Sequence, residues 1–202
     1  MKNTKDSTRT RAPRRRACLA LAACAALTVL ASPGAHAQAY PAKPITMVVP
    51  FPPGGPTDMV ARLLAQKLSE QMGQPVVVDN KPGANGNIGG VYVSKAPADG
   101  YTVLYNTSSI TLSPALYKSM QYDVLRDLAP VALTAVVPLA LVVNPEVPAN
   151  NVKDFVAYAK AHPGKLSYGS AGNGNVTHLA AYQFVKAQGI EATHVPYRGS
   201  AP

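Results

Sequence analysis

The sequence predicts an α/β fold: parallel sheets flanked by helices and arranged in two lobes. Three observations point there. Apolar, strand-like runs alternate with segments of helical periodicity from Gln38 onward. A β-α-β-α-β order implies parallel strands joined by right-handed crossovers. A long uncharged apolar stretch, Pro130 to Asn144, then separates this series from a second one of the same kind.

Ile45 to Phe51 reads as a short buried strand, followed by the turn-rich Pro52-Pro-Gly-Gly-Pro-Thr-Asp58. Met59, Val60, Leu63, Leu64, Leu68 and Met72 repeat at helical spacing, and Gly73 stands where a helix C-cap belongs. Pro75 to Asp79 is a second strand, Lys81 to Asn87 a loop, Ile88 to Lys95 a short helix and Tyr101 to Tyr105 a third strand. Pro130 to Asn144 is too short and, with Pro138 at its centre, too broken to cross a membrane as a helix; two strands, or one bent strand, are expected. Asn151 caps a helix bearing Val152, Phe155, Val156 and Ala159, ended by His162-Pro-Gly164. Leu166 to Ser170 is a strand, Asn175 to Ala187 a helix and Ala192 to Val195 a strand. Arg198 to Pro202 leads toward a further helix, so the chain reads as a fragment.

Before Gln38 the pattern is that of an export signal. Of 19 basic residues, Lys2, Lys5, Arg9, Arg11, Arg14, Arg15 and Arg16 crowd the start, and the apolar run Ala17 to Ala31 follows. Ser32-Pro-Gly34 breaks that run, and Ala35-His-Ala37 supplies an A-x-A cleavage pattern. Arg15-Arg16 also fits a loose twin-arginine signal, and Cys24 a lipoprotein box; cleavage after Ala37 is favoured. The expected domains are therefore 1–37 as signal, 38–107 as the first lobe, and 108–202 as a crossing segment with part of the second lobe. The formal charge of +9 belongs mostly to the leader, so it argues for no nucleic-acid partner. Cys18 and Cys24 lie in the leader too, which excludes disulfides, thiol catalysis and Cys-based metal sites from the mature chain.

Two loops share one design, a strand, a Gly-rich turn and a helix start. They are Phe51 to Asp58, with Gly54, Gly55 and Thr57, and Ser170 to Thr177, with Ala171, Gly172 and Asn173. Glycine admits close approach of a ligand, and unpaired N–H groups at a helix start accept carboxylate or phosphate. The same features also serve ordinary βα turns. Neither loop matches a P-loop or a dinucleotide fingerprint. After the leader only Arg62, Arg126 and Arg198 could clamp an anion, so neutral donors and a small carboxylate are expected. Asp58 would repel such a ligand; its expected job is to cap the helix or orient Gly54 and Gly55.

A serine-hydrolase elbow at Tyr168-Gly-Ser170-Ala-Gly172 would need glycine where Tyr168 stands, and Glu191 before His194 is a cramped acid. His162, His178 and His194 lack metal-ligand spacing, and His178 could cap or pack locally. No metal, cofactor or catalytic residue is expected.

Several separated motifs carry a resemblance. Tyr40-Pro-Ala-Lys-Pro-Ile-Thr46, Val49-Pro-Phe-Pro-Pro-Gly-Gly-Pro-Thr-Asp58, Val78-Asp-Asn-Lys-Pro-Gly-Ala-Asn-Gly-Asn87, Ala98-Asp-Gly-Tyr-Thr-Val-Leu104, Tyr168-Gly-Ser-Ala-Gly-Asn173 and His194-Val-Pro-Tyr-Arg-Gly-Ser200 are similar to the Bug family, the periplasmic solute receptors of tripartite tricarboxylate transporters. The resemblance implies a two-lobed periplasmic-binding-protein (Venus flytrap) fold that closes on a small carboxylate or related polar metabolite. It implies delivery to integral-membrane transporter subunits, a monomer in the periplasm, and no enzyme activity. It places Phe51, Gly54, Gly55, Thr57 and Asp58 at one ligand carboxylate. Ser170, Ala171, Gly172, Asn173, Thr177 and His178 belong on the second lobe, with Asn106 and Ser108 facing the cleft. A sensing role in a signalling system would use the same cleft. Losing one contact to the charged ligand, as in Asp58→Ala or Ser170→Ala, is expected to weaken binding by roughly 1.5–3 kcal/mol without unfolding.

Overall fold

The computed structural model describes residues 39–200. The expected export signal, its expected cleavage site and both cysteines lie outside the described residues.

The first sheet holds three parallel strands in the order β2-β1-β3. They are β1 (Ile45–Val49), β2 (Val76–Asn80) and β3 (Thr102–Leu104). Ile45 pairs with Val76 and Val49 with Asn80, while Thr46 to Val48 pair with Thr102 to Leu104. As the central strand, β1 is covered on both faces, which explains why it is apolar at every position but Thr46. Helix α1 (Pro56–Met72) lies over one face and buries Ala61 and Ala65 against Ile45, Met47, Val49 and Val76. Phe51, Leu64, Leu68 and Met72 pack around that cluster. Gly73 takes the left-handed conformation (φ 68°) that ends α1, as its sequence predicts. Ser69 then fastens the turn, donating to Ala65 O and accepting from Val76 N–H.

Helix α2 (Asn87–Ser94) takes the other side, entered through a 3-10 turn at Ala84–Gly86. Its glycines permit close packing: a β-carbon at Gly89 would stand 2.7 Å from Pro50 Cβ, and one at Gly90 would overlap the Tyr122 ring. After β3 comes helix α3 (Ser109–Leu116), which holds Pro114 and buries Ser109 and Ser113.

The second sheet pairs β4 (Leu166–Ser170) with β5 (Ala192–Pro196) in parallel, Tyr168 opposite His194. Helices α4 (Val152–Ala161) and α5 (Val176–Gln188) accompany it, with Phe155 and Phe184 stacked at 6.3 Å. Asn151 caps α4 by accepting from Asp154 N–H, as expected.

One sequence expectation is corrected. Pro130 to Asn144 forms neither two strands nor one bent strand; it runs without ladder pairing and almost entirely exposed. A strand requires a neighbouring edge to satisfy its N–H and C=O groups. None lies beside this segment among the described residues, and Pro138 offers no donor. Val131 is 90% exposed, Leu133 84% and Val142 82%. Tyr105 OH meets Thr134 Oγ1 at 2.9 Å.

Such a strip is an association surface. The 202-residue chain should therefore bind a hydrophobic dye and self-associate, and Val136→Lys with Val142→Lys should reduce both with unchanged circular dichroism. Dye fluorescence and light scattering check this; a double variant indistinguishable from the parent would clear the segment.

Candidate functional site

Strand order decides where a site can form. All five strands are parallel within their sheets, and in such folds the ligand side is the carboxyl end of the strands. At that end of the first sheet lie the β1–α1 loop, the Lys81–Asn87 loop and the Asn106–Ser109 loop. At that end of the second lie Ser170–Asn175 and Tyr197–Gly199.

The two sets of loops touch. A β-carbon at Gly199 would stand 3.2 Å from Pro52 Cδ, and one at Gly174 only 2.7 Å from Leu116 Cδ1. Asn85, held at a left-handed φ of 54°, donates from Nδ2 to Gly174 O at 3.0 Å and accepts from Asn175 Nδ2 at 3.3 Å. Val176 N–H reaches Ser109 Oγ at 3.4 Å. Gly199 N–H returns to Ala171 O at 3.1 Å.

The β1–α1 loop is built around Asp58. Its side chain is only 3% exposed, so its charge must be met by donors. Gly54 N–H and Arg62 Nε each donate to Oδ2 at 2.9 Å, and Asn80 Nδ2 donates to Oδ1 at 2.9 Å. Asn80 Nδ2 also reaches Phe51 O, and Arg62 Nη2 reaches Asn80 Oδ1, which ties the loop to the end of β2. The Arg62 hydrogen bond is the largest influence on the Asp58 carboxyl, lowering its pKa to about 2 against the opposing effect of burial. Of the two jobs expected for Asp58, orienting Gly54 is the one it does. It makes no cap: Gly55 stands at the N-cap of α1 without any side-chain hydrogen bond. The first helical bond runs from Met59 N–H to Gly55 O, so the Thr57 and Asp58 amides precede the ladder at an uncapped start.

The second loop differs from its expected form, because its amides are already engaged. Ala171 N–H donates to Thr177 Oγ1, Gly172 N–H to Ser170 Oγ and Gly174 N–H to His178 Nδ1. Asn175 N–H donates to Gly172 O and Thr177 N–H to Asn175 Oδ1. Asn175 and Ser109, both buried, complete the cap of α5. The expected free helix start is thus a closed one, since short polar side chains at 170, 175 and 177 satisfy it locally. Asn173 stands exposed at the tip.

Asn106 accepts from Thr107 N–H, while its buried Nδ2 has no hydrogen-bond partner among the described residues; Asn87 Nδ2 is alike. Ser108 is exposed beside them. A cavity of about 340 Å³ between α2 and residues 117–122, lined by Ile88, Val91 and Met120, holds none of the candidate residues. Sequence reasoning named Arg62 only as a possible anion clamp and not as the i,i+4 partner of Asp58, and it missed Asn80, which reaches Asp58 from β2, and Asn85, which carries the contact between the loops. A positive φ at Asn85 is no surprise in a Pro-Gly-Ala-Asn-Gly loop, but its partner at Gly174 is 89 residues away. Ser170 Oγ and His194 Nε2 do meet at 2.7 Å, yet Glu191 is exposed and takes no part in that pair.

Parallel sheets with loops meeting at their carboxyl ends define the fold of the periplasmic binding proteins. The chain belongs to the tripartite tricarboxylate transporter family receptors (TctC), which it matches over residues 60–202. It is 44% identical to the protein BugT of Bordetella pertussis over 82% of this chain and 52% of that protein. Among solved structures, Rpa4515 of R. palustris with adipate is 45% identical with a TM-score of 0.77, and the periplasmic binding protein BugD is 40% identical with a TM-score of 0.75. Each of these matches covers 81% of this chain and 55% of the other. The chain therefore spans about half the length of the relatives it matches. The matched family is one of receptors, and BugD is a periplasmic binding protein.

Because Asp58 is buried and organises three donors, Asp58→Ala should cost about 2–3 kcal/mol of stability rather than leave it unchanged. Urea unfolding followed by circular dichroism measures this. The carboxyl is lowered in the folded state, so its contribution is present above pH 4 and lost as pH falls toward about 2. Asp58→Ala should flatten that acid limb; an unchanged limb would assign it to other carboxylates.

Proposed function

We propose that the chain forms part of an extracytoplasmic receptor that captures a small carboxylate between two lobes, residues 38–107 and 108–202, and delivers it to a tripartite tricarboxylate-type membrane transporter. The observation that carries this reading is the meeting of loops from the carboxyl ends of both sheets, Asn85 against Gly174 and Pro52 against Gly199. Family membership supports it, as does the relative that holds adipate. The ligand approaches the uncapped start of α1, where the amides of Gly55, Thr57 and Asp58 face it and no side chain competes. Arg62 is spent on Asp58, so the donors offered here are neutral: backbone N–H, the Thr57 and Ser108 hydroxyls and the Asn106 amide. Phe51 and Gly54 shape this wall. Ser170, Ala171, Gly172, Asn173, Thr177 and His178 form the opposing one. Closure removes water around the anion and strengthens each neutral contact. Residues 1–37 direct export and are removed after Ala37, so the working receptor begins at Gln38.

Calorimetry with adipate and a panel of short di- and tricarboxylates tests the reading. At least one acid should bind and raise the melting temperature, and Thr57→Ala with Ser108→Ala should weaken it about tenfold or more. Absence of binding across the panel would overturn the assignment.

A further inference from the structure

Behind the Ser170–Asn175 loop, three rings from three elements stack. His194 of β5 lies face to face with His178 of α5, centroids 3.9 Å apart and 7° from parallel, and Tyr168 of β4 stacks on His194 at 5.0 Å. Each imidazole holds one part of the loop. His194 Nε2 meets Ser170 Oγ at 2.7 Å, and that oxygen accepts from Gly172 N–H at 3.2 Å. His178 Nδ1 accepts from Gly174 N–H at 3.1 Å. The carbonyl of the same glycine is taken by Asn85 Nδ2 from the side of the first sheet.

We propose that His178 is a positioning residue that works only as a neutral imidazole: its unprotonated Nδ1 fixes Gly174, and through it the Asn85 contact, and a proton on that nitrogen releases both. The chemistry is simple. Gly174 N–H points at the lone pair that a proton on Nδ1 would occupy, so donor would face donor. Gly174 has φ 75° and no side chain, which leaves its amide free to turn away.

Two imidazolium rings at 3.9 Å would repel each other, so the stack favours neutral rings. Burial first, and then a charge on His178, hold His194 below the ordinary imidazole range. For His194 the unfolded chain binds a proton more readily than the folded one, so acidification through the imidazole range also lowers stability. The groups facing the pair are Ser170 and Tyr168 from β4 and Tyr182 from α5, with Lys186 over the Tyr182 ring. Among the described residues no carboxylate hydrogen-bonds to either imidazole to hold a proton there. The consequence for ligand, weaker closure at low pH, rests on the receptor reading; the release of Gly174 needs no ligand.

Nitrogen-15 NMR of the chain from about pH 7.5 to 5 tests the switch, following both imidazoles and hydrogen-exchange protection of the Gly174 amide. Gly174 protection should fall about tenfold once the His178 ring is protonated. His178→Asn places a non-titrating acceptor near the position of Nδ1 and should keep Gly174 protected throughout, whereas His178→Phe should leave it unprotected at every pH. Gly174 protection that persists after both rings are protonated in the parent protein overturns the proposal without need of any variant. So does a His178→Asn protein that follows the parent pH profile. Failure of adipate to bind would count against the receptor reading and leave these amide results standing.

Discussion

A single buried carboxylate governs the first half of this molecule. Asp58 sits at the start of α1 with almost no access to water, and a charge in that position persists only if donors surround it. The donors come from three places in the chain: Gly54 in the turn, Arg62 one helical turn on, and Asn80 at the end of β2, whose amide also donates to the Phe51 carbonyl. The turn is therefore shaped before any ligand arrives. The Asp58 charge is offset by Arg62, so the acid that looks misplaced beside the carboxylate ligand proposed above is part of what shapes the turn.

The two Gly-rich loops look alike in sequence and differ in state. The start of α1 has glycine at its N-cap and proline after it, neither of which can donate a side-chain acceptor to the first turn. The start of α5 has Asn175 and Thr177, with Ser170 and His178 close by, and these satisfy the loop amides internally. Glycine content alone says that a backbone can approach a ligand. Whether its N–H groups are free depends on the short polar residues around it, and here they point to opposite outcomes.

Much of the fold was legible because it rests on local pattern. The alternation of apolar runs with helical spacing, Gly73 after α1 and Asn151 before α4 placed these elements within a residue or two. What escaped depends on distant partners. Pro130 to Asn144 has strand composition, but a strand is a pairing and no composition supplies a neighbour. Helix α3 escaped because Pro114 sits inside it and its sequence lacks an apolar stripe. In the candidate site, both Gly-rich loops could be found from glycine and turn signals, while Asn106 came only from the family resemblance. Asn80 and Asn85 act across folded space and left no mark beyond being polar residues in or near loops, whereas Arg62, one helical turn after Asp58, was a local pair that the search for an anion clamp passed over.

The contacts between the two sets of loops set a limit on how firmly the loops can hold one another. Asn85 exchanges two hydrogen bonds with Gly174 and Asn175, and Val176 adds a longer one to Ser109. Each neutral hydrogen bond of this kind contributes about 1 kcal/mol net. Two or three of them, less the cost of ordering the loops, bias an open–closed equilibrium by a factor of about ten to a hundred at most. That is enough to favour a closed arrangement and too little to lock it. A ligand gripped by several charge-assisted contacts outweighs it, and so does the loss of one well-placed acceptor, which is why the state of a single imidazole beneath Gly174 can matter to the whole rim.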